Sequence, residues 1–293
     1  MPSTAWTTLW MTMHDHTELT QDRIGHLKER LEREITQKIC PLDVTAWQAP
    51  GEPVSFEEAV VANYRPFPPG TWWGAPWSTW WLHVTGTLPE GHAGDEIDLS
   101  MDLGFVGDWA GNQSEAMVYT SSGRPLKALN PRNHRVALNH GALAQRFADE
   151  GEPLIGTDGG VELWVEAAGN PDMTLHLGGP TELGDRRTAG DEPLWQFRGA
   201  ELSVRRKEVW DLWLDIDVLD GLMRQLPSDS THRAQLLHGL EQAADEVDRH
   251  GILAGARQAR ETLAGYLGSG ANSSAQQMTA IGHAHIDSAW LWP

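Results

Sequence analysis

Trp80-Trp81-Leu82-His83-Val84-Thr85-Gly86-Thr87-Leu88 alternates apolar and polar residues from Leu82 onward. That period of two predicts a β-strand with one face on a core. Working outward, the same period recurs in Glu96–Leu103, where Ile97, Leu99, Met101 and Leu103 share a face. It returns in Glu115–Thr120, in Val161–Glu166 and in Met173–Leu177. Ser122-Gly123, Asn130-Pro131, Asp158-Gly159 and Asn170-Pro171 separate these runs with turn chemistry. Many short strands with few helical stretches between them predict an antiparallel β-sandwich over residues 41–207.

Helical patterns flank the sandwich. Ile24, Leu27, Leu31, Ile35 and Ile39 form one stripe, so a helix is expected over 17–39, capped by Thr17 or Thr20 and ended by Cys40-Pro41. Residues 1–40 thus read as a tail and a helix. Residues 208–226, 232–249 and 253–267 carry three further apolar stripes punctuated by Pro227 and Gly251, predicting a helical connector over 208–268. Its acidic runs read as a solvated face. After the polar Ser269–Ser274, the apolar run Met278–Gly282 reads as a strand buried on both faces, the opening of an α/β, barrel-like domain over 269–293. The fold class is therefore mixed: N-terminal helix, antiparallel sandwich, helical connector and the first strand of an incomplete α/β domain.

Composition narrows function. Of 293 residues, 22 are Lys or Arg and 41 Asp or Glu, giving a net charge of −19. That charge opposes binding to nucleic-acid phosphates and to anionic lipid. A single cysteine, Cys40, excludes an internal disulfide framework. Residues 1–16 hold neither Lys nor Arg and no long apolar run, and no stretch approaches the ~18 apolar residues of a membrane helix. A cytoplasmic protein is expected, in which the Asn112 and Asn272 sequons have no role. Met1, Met11 and Met13 are all candidate starts. His14, Asp15 and His16 sit in a terminus where nothing fixes a metal geometry.

The chemistry concentrates in Gly282-His283-Ala284-His285-Ile286-Asp287-Ser288-Ala289-Trp290-Leu291-Trp292-Pro293. On an extended strand His283, His285 and Asp287 project to one side. Imidazole nitrogens and a carboxylate oxygen are donors that Zn²⁺ accepts. The plainer alternative makes one His a core residue and Asp287 the cap of a following helix. Trp is abundant, 15 against 5 Phe and 3 Tyr. The cluster at Trp72–Trp81 either stacks sugar rings or fills the core and a domain seam, and packing is the reading adopted here. The Pro66, Pro68, Pro69 and Gly70 run fits a loop pinned against another surface. Asp102, Asp108 and Glu115 near Trp109 form a weak calcium or sugar-hydroxyl candidate. No nucleotide, zincin or serine-hydrolase fingerprint is present.

The run GHAHIDSAWLWP closely resembles the opening motif of the family 38 α-mannosidases, in their vacuolar/cytosolic and bacterial branch. Trp72–Gly86 and Glu166-Ala167-Ala168-Gly169-Asn170-Pro171 resemble that branch's N-terminal β domain, so the likeness runs from about residue 13 onward. The resemblance implies that His285 and Asp287 are zinc ligands, that Trp290 packs against bound mannose, and that His283 lies behind the metal without ligating it. Co²⁺ is an alternative metal. It further implies retaining hydrolysis of terminal α-D-mannosyl residues of oligosaccharides. The nucleophile and general acid are expected beyond Pro293, and the full-length protein leaves room for a homo-oligomer. Two rivals stand beside it: an amidohydrolase-type metal hydrolase that uses both His as ligands, and a non-catalytic carbohydrate-binding module.

Two outcomes are expected. Residues 1–293 alone should not hydrolyse an aryl α-mannoside, and turnover by them would overturn the assignment. In metal titrations His285→Ala should lose metal while His283→Ala largely keeps it; equal loss favours the amidohydrolase rival.

Overall fold

A computed structural model describes residues 16–51, 53–107, 113–171, 190–268, 270 and 278–282. These fall into two compact units, one holding the described residues of 16–37 and 205–281, the other those of 38–204 and Gly282.

The second unit is the expected antiparallel sandwich. Its strands are β1 (Thr36–Pro41), β2 (Asp43–Gln48), β3 (Arg65–Pro66), β4 (Trp72–Trp73), β5 (Ser78–Thr87), β6 (Glu96–Asp102) and β7 (Glu115–Thr120). They continue with β8 (Pro125–Leu129), β9 (Arg135–Ala137), β10 (Gly160–Gly169), β11 (Trp195–Gln196) and β12 (Gly199–Arg205). One sheet runs β3-β2-β5-β10-β7-β8, the other β1-β12-β6-β9, and β11 and β4 form a two-residue ladder. The opening stretch lies in β5, paired along its whole length with β10: Ser78 opposes Gly169 and Thr87 opposes Gly160. In this register Leu82 and Val84 share the core with Leu163 and Val165. Ile97, Leu99, Met101 and Leu103 are fully buried, as their spacing predicts. Each such side chain contributes about 1.5–3 kcal/mol by leaving water. Met173–Leu177 lies outside the described residues.

Two short helices were not legible in the alternation. α1 (Thr17–Glu34) precedes the sandwich; within it lie α2 (Phe56–Ala59), capped by the Ser55 hydroxyl accepting from the Glu58 amide at 3.3 Å, and α3 (Gly141–Asp149), which buries Ala144 and Phe147. α2 and its flanks cover the outer face of the six-stranded sheet, where Trp81 and Trp164 pack with Ala59, Phe56 and Tyr64. At Trp164 the outer face of β10 is therefore buried too, while Glu162 on the same face stays exposed.

The expected helix over 17–39 stops at Glu34, and Thr36–Pro41 is a strand beside β12. Ile39 continues the helical stripe by count, yet it packs on the sandwich core. Cross-strand pairing outweighs the i, i+4 pattern here.

The first unit joins α1 to α4 (Lys207–Gln225), α5 (Thr231–His250) and α6 (Ile252–Leu267). Ile24, Leu27 and Leu31 share one core with Leu212, Ile216, Leu240, Val247 and Leu263. The N-terminal helix and the connector, separate in the sequence reading, are one helical body. Its acids are partly bridges, not only a solvated face. Arg23 binds Asp245 and Asp248 at 2.7 and 2.8 Å, Lys28 binds Asp217 at 2.6 Å, and Arg260 binds Asp215 at 2.9 Å. No helix among the described residues is long and apolar enough to cross a membrane.

Two glycines should respond oppositely to alanine. A Cβ on Gly169 would stand 2.6 Å from the Gly74 Cα and 2.8 Å from the Ala75 carbonyl oxygen, whereas one on Gly25 in α1 meets nothing within 4 Å. Gly169→Ala should cost about 1–3 kcal/mol in denaturant unfolding. Gly25→Ala should add about 0.5–1 kcal/mol.

Candidate functional site

His283, His285, Asp287 and Trp290 lie outside the described residues, so the motif enters as chemistry and not as geometry. The segment leading to it does not form the expected strand. Met278–Gly282 has no secondary structure, and Met278 and Ile281 are 89% and 80% exposed. A short run of this kind becomes a buried strand only where neighbouring strands supply ladder partners, and none pairs with it among the described residues. Nor do the described residues contain any group of three or more His, Cys, Asp or Glu placed to hold a metal.

The secondary candidates resolve into structural roles. Asp102 accepts from the amides of Gly104 and Phe105 at 2.8 and 3.0 Å and from Arg198 at 3.3 Å. Glu115 accepts from the Asn170 side-chain amide at 3.1 Å. Asp108 and Trp109, like His14 and Asp15, lie outside the described residues, while His16 is exposed just before α1.

Most of the tryptophan cluster packs. Trp73 and Trp81 are buried, and the Trp73 indole donates to the Leu103 carbonyl at 2.8 Å. Trp80 packs on Phe67 and Trp73. Trp72 alternates outward and is 54% exposed. An aromatic contact missed in the sequence lies on the outer face: His83 stacks on Trp164 at 4.1 Å with 13° between the rings, and its Nε2 bonds Glu162 at 2.9 Å. Its signal was the β5–β10 register, which sets His83 opposite Trp164. Beside this stack the Tyr119 hydroxyl donates to Glu166 at 2.9 Å; burial and that carboxylate push it up to about 12.

A groove of about 490 Å³ opens beside the β5–β10 pair, lined by Thr85, Ser121, Glu152, Leu154, Gly156 and Glu162 among others. One wall is locked by charge. Arg124 binds Glu150 and, at 3.0 Å, Glu152, and its guanidinium lies 4.2 Å over the Phe147 ring. The Arg124 bond holds the Glu150 carboxyl below its ordinary range. Burial opposes ionisation of Glu152, but bonds from Ser122, Thr120 and Arg124 outweigh it and its carboxyl also titrates low. These acids are spoken for by neighbours, and the groove has no unengaged catalytic pair among them.

The two sandwich segments singled out in the sequence meet in space. Residues 78–81 of the first pair with 166–169 of the second. At their end Gly74 and Gly169 touch backbone to backbone, and the Trp195 indole closes the corner by donating to the Asn170 carbonyl at 3.2 Å. Residues 40–203 match the family described as Ams1-like α-mannosidase, jelly roll domain. The chain belongs to that α-mannosidase family. Mouse α-mannosidase 2C1 (Mus musculus) is 26% identical over 286 residues, covering 97% of this chain and 25% of its own. The human protein of that name (Homo sapiens) is 27% identical over 255 residues, covering 87% and 22%. α-Mannosidase G of Dictyostelium discoideum is 20% identical over 245 residues, covering 82% and 20%. The chain thus spans about a quarter of the length of the curated relatives it matches.

The jelly roll's acid response follows from its pairs. Glu150 and Glu152, with Asp248 of the helical unit held low by Arg30 and Arg23, have folded values below their unfolded ones. Their stabilisation is complete at neutral pH and is lost as pH falls below about 4, through the lowered values. Thermal melts should hold steady from neutral pH to about 5 and drop below it. Arg124→Gln should lower the neutral midpoint and flatten that acid slope.

Proposed function

We propose that this chain is the N-terminal part of a zinc-dependent, retaining α-mannosidase that removes terminal α-D-mannosyl residues from oligosaccharides. The observation that carries the reading is the jelly-roll match over residues 40–203, with relatives named α-mannosidase along nearly the whole chain. The terminal motif adds the chemistry. His285 and Asp287 offer an imidazole nitrogen and a carboxylate oxygen, a donor set that suits zinc, with cobalt the alternative. No competing donor cluster exists among the described residues.

In this reading His285 and Asp287 would hold the metal, and His283 would support them without being a ligand. Bound zinc would engage sugar hydroxyls and favour the distorted ring. The Trp290 indole offers a flat apolar face to the C–H side of the mannose ring, fixing its orientation and excluding water. Retention requires one carboxylate to attack the anomeric carbon while a carboxylic acid protonates the departing oxygen. Water then displaces the sugar from the first carboxylate, with the second now acting as base. The reading assigns neither of these two carboxyl groups to this chain. The sandwich and the helical body act as the frame that precedes the motif, and we place the protein in the cytoplasm.

The test is the stereochemistry of the first product from the protein encoded by the full reading frame. Proton NMR of α-mannoside hydrolysis should show α-mannose before mutarotation, and chelation should abolish turnover until zinc or cobalt is restored. β-Mannose as the first product, or turnover indifferent to chelation, overturns the mechanism.

A further inference from the structure

The groove beside the β5–β10 pair, about 490 Å³, has the ~300–1,000 Å³ size of small-ligand sites. Thr85 and Glu162 oppose each other in the strand register and so project from one face into its lining. One Glu162 oxygen bonds the His83 Nε2 at 2.9 Å, and the other has no partner among the described residues. The Thr85 and Ser121 hydroxyls make no hydrogen bond among the described residues either. Buried Leu154 and Val161 supply the apolar part of the lining. Hydroxyls that the fold does not use, a carboxylate oxygen to spare and an apolar patch therefore share one cavity.

These groups select among ligand classes. Among the described residues no Lys, Arg or His lines the groove, and Arg124 behind it is engaged with Glu150 and Glu152, so an anion finds no counter-charge. An amine gains little. Glu152 is already compensated by Arg124, and the Glu162 side chain is 54% exposed, where ion pairing contributes least. A neutral polyol suits the whole lining. Its hydroxyls donate to carboxylate oxygens and accept from the Thr85 and Ser121 hydroxyls, while its C–H groups meet Leu154 and Val161.

We infer that this groove is a saccharide-binding site on the sandwich, in which Thr85, Ser121 and Glu162 hold the hydroxyls of one glycan residue. That the residue is α-mannosyl rests on the α-mannosidase reading above; that the ligand is a neutral sugar rests on the groove. The site binds and does not cleave, because Glu152 is held by Arg124 and its neighbours. It uses none of the residues of the terminal motif.

The test uses the 293-residue chain with ¹⁵N-labelled amides. The Ser121, Gly156 and Gly160 signals should shift saturably as methyl α-D-mannoside is added, and should do so equally in a chelator, which separates the groove from the terminal motif. Thr85→Val and Ser121→Ala should leave the thermal midpoint unchanged and weaken calorimetric mannoside affinity several-fold. Glu162→Gln, which keeps an acceptor for His83, should weaken it likewise. Silent groove signals, shifts lost on chelation, an equal response to glycerol or a stronger one to ethylenediamine each overturn the inference. So do variants that bind as tightly as the parent chain, or hydroxyl variants whose midpoints fall by several degrees. A responsive groove alongside a full-length protein that hydrolyses no α-mannoside would defeat the enzymatic reading alone. Turnover with a silent groove would defeat only this one.

Discussion

The register of β5 against β10 is the constraint on which the sandwich depends. Its two strands lie 70 or more positions apart in sequence, so nothing local fixes their alignment, and a slip of one residue would turn Leu82, Val84, Leu163 and Val165 out of the core. Backbone contacts pin the pair at both ends. At one end Gly74 and Gly169 meet where no Cβ fits; at the other, a Cβ on Gly159 would lie 2.9 Å from the Leu88 carbonyl oxygen, and the Leu88 amide donates to Gly159 at 2.9 Å. With both ends held, the outer face follows, because only this alignment sets His83 on Trp164 and Trp81 beside Tyr119.

Alternation alone was enough to place β5, β6, β7 and β10, because each has one face on the core and side-chain period is a local property. What was illegible is non-local. Thr36–Pro41 reads as helix because Ile35 and Ile39 continue a stripe, and only the distant β12 makes it a strand. Trp164 reads as the outward face of β10, and only the covering segment around Phe56 and Tyr64 buries it. Asp245 and Asp248 read as solvated until α1 brings Arg23 against them. For the site, the His and Asp spacing stays a property of the sequence, since those residues lie outside the described ones, and Met278–Gly282 before them shows no secondary structure.

The ion pairs also qualify the net charge. Arg23, Lys28, Arg30, Arg124, Arg198 and Arg260 all bind carboxylates. Many of the cations are therefore engaged with carboxylates, and the sequence as a whole carries a net charge of −19. Such a field repels anionic ligands and leaves an uncharged glycan unaffected.

The helical body is interrupted by the entire sandwich. Its two halves are stitched where the chain leaves and returns: the Arg206 amide donates to the Ile35 carbonyl at 2.8 Å, and the Arg206 side chain binds Glu34, 172 positions earlier. During synthesis α1 therefore emerges long before the helices that cover it. At ~5–20 residues per second its Ile24, Leu27 and Leu31 stripe waits roughly 10–30 s for a partner while the sandwich forms. α1 is thus made well before the helices that bury its stripe.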